Sequence, residues 1–495
     1  MRRFAFVLIA LCFPALGAAQ QGSVQSAVAS ITADDVRARI GVLAHDSMRG
    51  RDTPSPEVEQ AAQYVANQFR RFGLRPGGDR GSFVQHYPIQ RVRVDTAESR
   101  IDVRGGPTLK FPAQAARIFG SFTPEAVTGP TIVVSGAPSQ ADLAATSLAG
   151  AVVVYLGSGD GGPSRQVLFS IFRAGPAALI IPMDVPDDQW AMQAAPQLRP
   201  SLSVPWREAG GAPGVAVREA AIAPAFAKHG VTLTQLRGAA GITRVNGLAL
   251  TVTVAPEMIE QATGPNTVGI LDGSDPALRN EYIVFSAHMD HVGVGRPVNG
   301  DSIYNGADDD ASGTAGVVEL AEAYAQLNPR PKRSMIFLTV SGEEKGLWGS
   351  DYYAANPSVP IERIVANLNI DMIGRNWDDT VVAIGKEHSD LGTTLDRVND
   401  SHPELNMTAI DDIWPAERFY FRSDHYNFAR RGVPVLFFFT GTHEDYHQPS
   451  DHVEKINAEK EARIVRLIFH LGLEVANAPD RPRWDPESYA EIVGN

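Results

Sequence analysis

The stretch Asn305–Gly316 reads NGADDDASGTAG, with three consecutive carboxylates, Asp308, Asp309 and Asp310, and no Lys or Arg between Arg296 and Arg330. Like charges this close repel, and a carboxylate removed from water without a partner is costly or takes up a proton. An acidic turn in solvent is one answer; a bound cation is the other. Further ligand-type residues favour the cation: His288 and Asp290 in AHMDH, Glu343 and Glu344 in SGEEKG, Asp371 in NIDMIG and His447 in DYHQPSD. Imidazoles and carboxylates without thiols suit a pair of zinc-like ions bridged by one carboxylate.

Thiols are absent for a reason that also bears on location. Residues 1–19, MRRFAFVLIALCFPALGAA, have a basic start, an apolar centre and small residues at the end, the layout of a secretory signal. The only cysteine, Cys12, lies inside that apolar run and follows Leu11, where a lipid-attachment motif would want a small residue. The exported chain is therefore expected to be secreted or periplasmic, without a membrane anchor, disulfides or cysteine ligands. Net charge is −13, or −15 once Arg2 and Arg3 leave with the signal, which argues against nucleic acid as a partner.

The elements that must position these side chains are legible from periodicity. After a polar, mobile leader at 20–30, a helix opens at Ser55–Pro56, carries Val58, Ala62, Val65, Phe69 and Phe72 on one face, and stops at Gly73. Residues 31–114 are assigned to the first part of the main domain, 115–255 to an inserted β-rich domain with an Ala-rich helix near 215–229, 256–480 to the core, and 481–495 to a tail. In the core, YIVFSAHMD, SMIFLTVSG and IVANLNIDMIG alternate with helical SGTAGVVELAEAYAQL and GLWGSDYYAAN, with one more long helix after His447. That alternation predicts an α/β fold with a mostly parallel sheet covered by helices on both faces. Ligands in such sheets bind beyond the carboxyl ends of the strands. His288 with Asp290, the triple Asp, Glu343 with Glu344, Asp371 and His447 all fall on that rim, and Asp290 shares a side with His288 by strand alternation.

Three local patterns point elsewhere and are rejected. Asp308, Asp310, Ser312, Gly313 and Glu319 fit a calcium-loop spacing, but the preceding GRPVNGDSIYNGA is no helix. HEDYH at 443–447 matches the H-E-x-x-H zinc pattern, which needs a helix to face both imidazoles one way; Gly441 and Pro449 make it a loop, so only His447 is kept. Gly157, Gly159 and Gly162 have dinucleotide-binding spacing, but Asp160 in the turn would face the pyrophosphate.

AHMDH, NGADDDASG, SGEEKGLWGSDYY, NIDMIG and YHQPSDH resemble, in order and approximate spacing, the metal-ligand segments of the exported dizinc aminopeptidases and glutamate carboxypeptidases, over about residues 31–475. The resemblance implies a three-layer α/β/α sandwich and two zinc ions per chain. It implies His288 and Asp371 on one zinc, Glu344 and His447 on the other, Asp309 as the bridge, and Asp290 orienting the His288 ring. It further implies Glu343 as general base and Tyr446 as a phenol donor to the oxyanion. GAVVVYLG and FRAGPAALIIPMD in the insert resemble a protease-associated domain.

Such a site hydrolyses peptides by an activated water, with the base passing its proton to the leaving amine. Other members of the fold leave alternatives open: a carboxypeptidase, a single-zinc glutaminyl cyclase-like enzyme, and a metal-free receptor-like relative. A carboxypeptidase would need a guanidinium fork from Arg375, Arg418 or Arg422. Acidic Asp411 and Asp412, with the apolar and aromatic run FYFRSDHYNFARRGVPVLFFF, favour an aminopeptidase preferring apolar N-terminal residues.

Overall fold

A computed structural model describes residues 22–157, 165–208, 211–239 and 241–494. The apolar leader at 1–19 and residues Gly159, Asp160 and Gly162 of the glycine pattern lie outside the described residues.

Strands Tyr282–His288, Ser334–Val340, Ile364–Ile370 and Val435–Phe439 are buried along their whole length, the pattern expected of a parallel sheet covered on both faces. They pair in parallel, with Ile283 opposite Met335 and Ala366, and Leu368 opposite Leu436. Antiparallel neighbours flank them: residues 267–271 beside Ser334–Val340, and Thr380–Ile384 beside Val435–Phe439. Alternate residues serve opposite layers. Phe285, Phe337 and Phe438 join the core under helices Ala33–Leu43, Pro56–Arg71, Gly313–Ala325 and Ala458–Asn477, whereas Val284, Leu338 and Phe437 pack with Phe428, Tyr353 and Ile492 on the other face. Three layers result, as an α/β/α sandwich requires.

Local chemistry starts and stops these helices as expected. Ser55 caps Pro56–Arg71 by accepting from Val58 N, and burial of Val58, Ala62, Val65 and Phe69 fixes its inward face. Phe285 and Phe337 stack at 5.5 Å under Tyr324, tying Gly313–Ala325 to the sheet.

Two segments differ from the sequence expectation. Residues 22–29, expected within a mobile leader, are helical, because Ala27 and Ile31 are apolar enough to enter the core. Residues 481–495, expected as a tail, carry the helix Pro486–Ile492, capped by Asp485, with Ile492 buried. These segments, with the sandwich, belong to one compact unit, Met1–Tyr87 plus Thr263–Asn495.

The second unit, Pro88–Ala262, reaches beyond 115–255 on both sides. Its sheet runs parallel through Thr123–Ser135, Val152–Leu156, Ala178–Met183 and Pro213–Arg218, and Gly241–Val254 pairs antiparallel with Arg100–Val103. The helix expected near 215–229 begins later, at Glu219. Val215 and Val217 are β-branched and pair instead with Ile180 and Pro182 in the sheet.

Candidate metal centre

His288, Asp290, the triple Asp, Glu343, Glu344 and Asp371 sit at or just past the carboxyl ends of the parallel strands, or in the turn entering the next helix. His288 ends its strand, Asp371 follows Ile370, and Glu343 and Glu344 come three and four residues after Val340. His447 lies in a turn before the helix Ala458–Asn477.

The triple Asp divides its labour through backbone geometry. Residues Ala307–Ser312 form an irregular helical turn in which Asp309 and Asp310 leave helical dihedrals, so successive side chains point apart. Asp310 accepts from the backbone N–H of His288 (3.1 Å), Gly313 (2.8 Å) and Met372 (3.1 Å). Asp308 accepts from Gly374 N at 2.6 Å and faces His443 Nε2 at 3.1 Å. Asp451 in turn accepts from Asp308 N and Asp309 N at 2.9 and 3.2 Å. Asp309 is left to face His288 and His447. Its Oδ1 lies 3.3 Å from His288 Nε2, while its Oδ2 lies 3.1 Å from His447 Nε2.

Two donor groups share Asp309. In the first, His288 Nε2 also meets Asp371 Oδ1 at 3.5 Å. In the second, Glu344 Oε2 stands 3.1 Å from His447 Nε2 and Glu344 Oε1 stands 2.9 Å from His291 Nδ1. The structure thus brings His288, Asp309, Asp371, Glu344 and His447 together, and adds His291. Within each group the donor atoms lie within 4.8 Å of one another.

Charge balance accords with cation binding. Burial opposes a charged His288, but Asp371 and Asp309 outweigh it and hold the imidazole well above its ordinary range. His447 is likewise raised, to about 10, against burial, by Asp309 and Glu344. Burial and Asp309 push Glu344 upward, yet His291 and His447 hold it at about 2. Such carboxylates demand positive charge, and a divalent ion in place of the imidazole protons supplies it. One observation tests the fit directly: His291 Nδ1 and Glu344 Oε1 are buried, 2.9 Å apart, and neither makes a hydrogen bond. Buried polar atoms are seldom left so. A nitrogen and oxygen donor set without sulfur suits zinc.

Supporting contacts hold the donors still. Ser423 Oγ donates to Asp371 Oδ2 at 2.8 Å, and Asn369 Nδ2 donates to Ser423 Oγ at 3.0 Å. His288 Nδ1 lies 3.1 Å from the backbone carbonyl of Asp290; the Asp290 carboxylate, expected to orient that ring, is farther, at 3.8 Å. It accepts instead from Thr53 Oγ1 at 3.0 Å and Glu343 N at 3.3 Å, tying the Glu343 segment to the His288 segment. Arg51, fully buried, donates to the carbonyls of Leu43, Met289, Asn305 and Gly306 and so joins the two loops that carry His288 and Asp309.

A cleft opens on the first group, lined by His288, Asp309, Asp371, Glu343 and Tyr446, with Met372, Phe419, Phe437, Phe439 and Arg422 around them. Burial raises the Glu343 carboxyl well above the usual range; His288 opposes this while Asp424, Glu344 and Asp371 add to it. Tyr446 stacks on His447 at 4.0 Å, and burial raises its phenol.

The rejected patterns are accounted for. Glu319 pairs with Arg39, and Asp308 and Asp310 are taken by backbone N–H groups, so no calcium loop forms. Residues 444–447 form a turn, and His443 faces Asp308, outside both donor groups. Arg375 is engaged with Asp445 at 3.0 Å; Asp411 and Asp412 do not line the cleft, whereas Arg422 does.

Sequence reasoning passed over His291, Arg51, Ser423 and Asp451. His291 carried a signal, being an imidazole in AHMDH, but strand alternation beyond His288 was the wrong guide because the strand ends there. The others are tied to the site only by contacts distant in sequence.

Residues 266–472 match the model of Peptidase family M28. A probable zinc metalloprotease of Pyrenophora teres f. teres is 27% identical over 272 residues, 47% of this chain and 55% of the relative. Leupeptin-inactivating enzyme 1 of Streptomyces exfoliatus is 28% identical over 214 residues, 43% of each. This chain thus spans about half the length of the curated relatives it matches. Among solved structures, an aminopeptidase from Aneurinibacillus sp. strain AM-1 superposes with a TM-score of 0.50 at 21% identity, over 94% of this chain and 98% of that one, a likeness of fold.

Proposed function

Starting from its Peptidase family M28 segment, residues 266–472, we propose that this chain is an exported two-zinc metallopeptidase that removes residues from the free N-termini of peptides. The observation that carries the proposal is the shared Asp309 carboxylate, one oxygen facing His288 and the other His447, at the floor of a cleft that also holds Glu343. His288 and Asp371 would hold one ion, Glu344 and His447 the other, and Asp309 would serve both. When bound, such ions supply Lewis acidity toward the scissile carbonyl and a water of lowered pKa.

The chain's own groups do the rest. Glu343, a carboxyl that burial raises well above its usual range, takes the water's proton and delivers it to the leaving amine. Tyr446 at the cleft wall donates its phenolic hydrogen where negative charge develops on the carbonyl oxygen. Phe419, Phe437, Phe439 and Met372 offer apolar walls to an uncharged side chain. Asp290 acts by position, holding the Glu343 backbone against the His288 segment. Export rests on the signal layout of residues 1–19, and among the described residues no helix is long and apolar enough to cross a membrane. Residues 115–255 are proposed to be a protease-associated domain.

Arg422 on the cleft wall favours one second reading, a carboxypeptidase that grips a terminal carboxylate. Acetylating the N-terminus of a good peptide substrate separates the two. Loss of cleavage supports the aminopeptidase, and undiminished release from the C-terminal end overturns it in favour of Arg422. Glu343→Gln tests the chemistry: turnover should fall about 100-fold or more with both metals retained, and full activity would remove Glu343 from its role.

A further inference from the structure

The two donor groups are unequal. The His288 group offers three protein donors; the other offers four, because His291 joins Asp309, Glu344 and His447. His291 is fully buried, with Nδ1 2.9 Å from Glu344 Oε1 and 3.7 Å from Asp309 Oδ2, and neither of its ring nitrogens makes a hydrogen bond among the described residues. Its ring is also seated firmly. A Cβ on Gly306 would come within 2.5 Å of His291 Cγ, so the glycine leaves the space that the imidazole fills, and Arg51 pins the Gly306 carbonyl. A histidine kept only for packing would not be expected to leave both nitrogens without a well-formed hydrogen bond while aiming one at two carboxylates.

The cleft is lined by His288, Asp309 and Asp371 and not by His291 or Glu344, while the His447 side chain is 37% exposed. Zinc sites closed by four protein donors are structural in character, whereas sites with three keep a place for water or substrate.

Resting on the two-metal reading above, we infer that His291 is a fourth protein donor at the Glu344–His447 position, which makes that position closed and tight and leaves the open place for water and substrate at the His288–Asp371 position. His288 and Asp371 would then hold the ion that serves the substrate carbonyl, and His291, Glu344 and His447 the one that helps fix the Asp309 turn.

Zinc titration of the full-length metal-free protein against a competing chelator tests this. The unsubstituted protein should take up two ions, one held much more tightly. His291→Ala should weaken the tight ion at least tenfold and leave the weaker one unchanged. Should His291→Ala fail to fold, X-ray absorption on the fully loaded unsubstituted protein decides: three imidazoles over two ions support the inference, and two over two overturn it. Affinities within twofold of each other in folded His291→Ala and the unsubstituted protein also overturn it. Failure of the unsubstituted protein to bind two ions would instead strike the two-metal reading itself.

Discussion

Replacing Arg51 by Met should damage stability and metal affinity together, although the guanidinium hydrogen-bonds to no member of either donor group. Its Nε donates to Met289 O at 2.8 Å, Nη1 to Leu43 O at 2.6 Å and Asn305 O at 2.7 Å, and Nη2 to Gly306 O at 2.9 Å. A hydrogen bond to a charged group is worth about 1.5–3 kcal/mol net, but these four are not additive, because the guanidinium has been taken wholly out of water. Burial pulls its pKa down to about 10 even though Asp290 and Asp309 pull the other way, so it stays charged at neutral pH with part of the bonding energy offset. Methionine fills similar volume and leaves four carbonyls facing an apolar stem. Loss on the order of 3–5 kcal/mol is expected, the range for breaking a buried charged network from one side. Met289 lies between His288 and Asp290, and Asn305–Gly306 lead into the turn of Asp309, so zinc affinity should fall about tenfold as those loops loosen. Lysine, a single ammonium on a flexible stem, cannot span four carbonyls and should recover only part of the loss. Urea unfolding with a chelator present, followed by zinc competition, measures both effects. A variant within about 0.5 kcal/mol of the parent, the scatter expected for surface substitutions, and with unchanged zinc affinity, would refute the claim that Arg51 joins the two loops.

Other outcomes follow from the same contacts. Ser423→Ala removes the hydroxyl that donates to Asp371 Oδ2 at 2.8 Å, and should weaken zinc at the His288 position by about 10-fold or more, read by competition titration. His443→Ala should keep both metals, since His443 faces Asp308, whereas His447→Ala should lose one; equal loss in elemental analysis would revive the H-E-x-x-H helix. His425 is fully buried against Phe437, and burial lowers its pKa to about 3. The unfolded chain, titrating near 6.5, then binds the extra proton between those values, so stability present above about pH 6.5 is lost as pH falls toward 3, by up to about 4–5 kcal/mol. His425→Phe should flatten that acid limb in denaturation curves, and an unchanged limb would clear His425 of the effect.

The sandwich itself was legible in the residues because its cause is local. Strands such as Ser334–Val340 are apolar throughout, helices such as Pro56–Arg71 carry their own cap and stripe, and their alternation leaves few ways to bury both faces of a sheet. The rim position of His288, Glu343, Glu344 and Asp371 followed from the same logic, since each lies at or just past the end of a strand. Where local preference was weak, packing decided: the leader around Ala27 and the tail around Ile492 looked dispensable, yet each found an apolar partner.

Composition also narrowed the donor chemistry to imidazole and carboxylate, the single Cys12 lying far from the donor segments in sequence, and the crowding of three Asp residues announced a problem of charge. Which carboxylate answers it was a matter of direction. Asp308 and Asp310 turn to backbone N–H groups of residues more than sixty positions away at Gly374 and Met372, and only the departure from helical dihedrals leaves Asp309 free to face two imidazoles. No periodicity carries that information. His291 entered the site because the chain leaves the sheet after His288, which ends strand alternation. Arg51 entered because a buried guanidinium seeks carbonyls wherever the fold presents them. Residue types determine what a site can bind, but the pointing of each side chain depends on hydrogen bonds between segments that meet only in the folded chain.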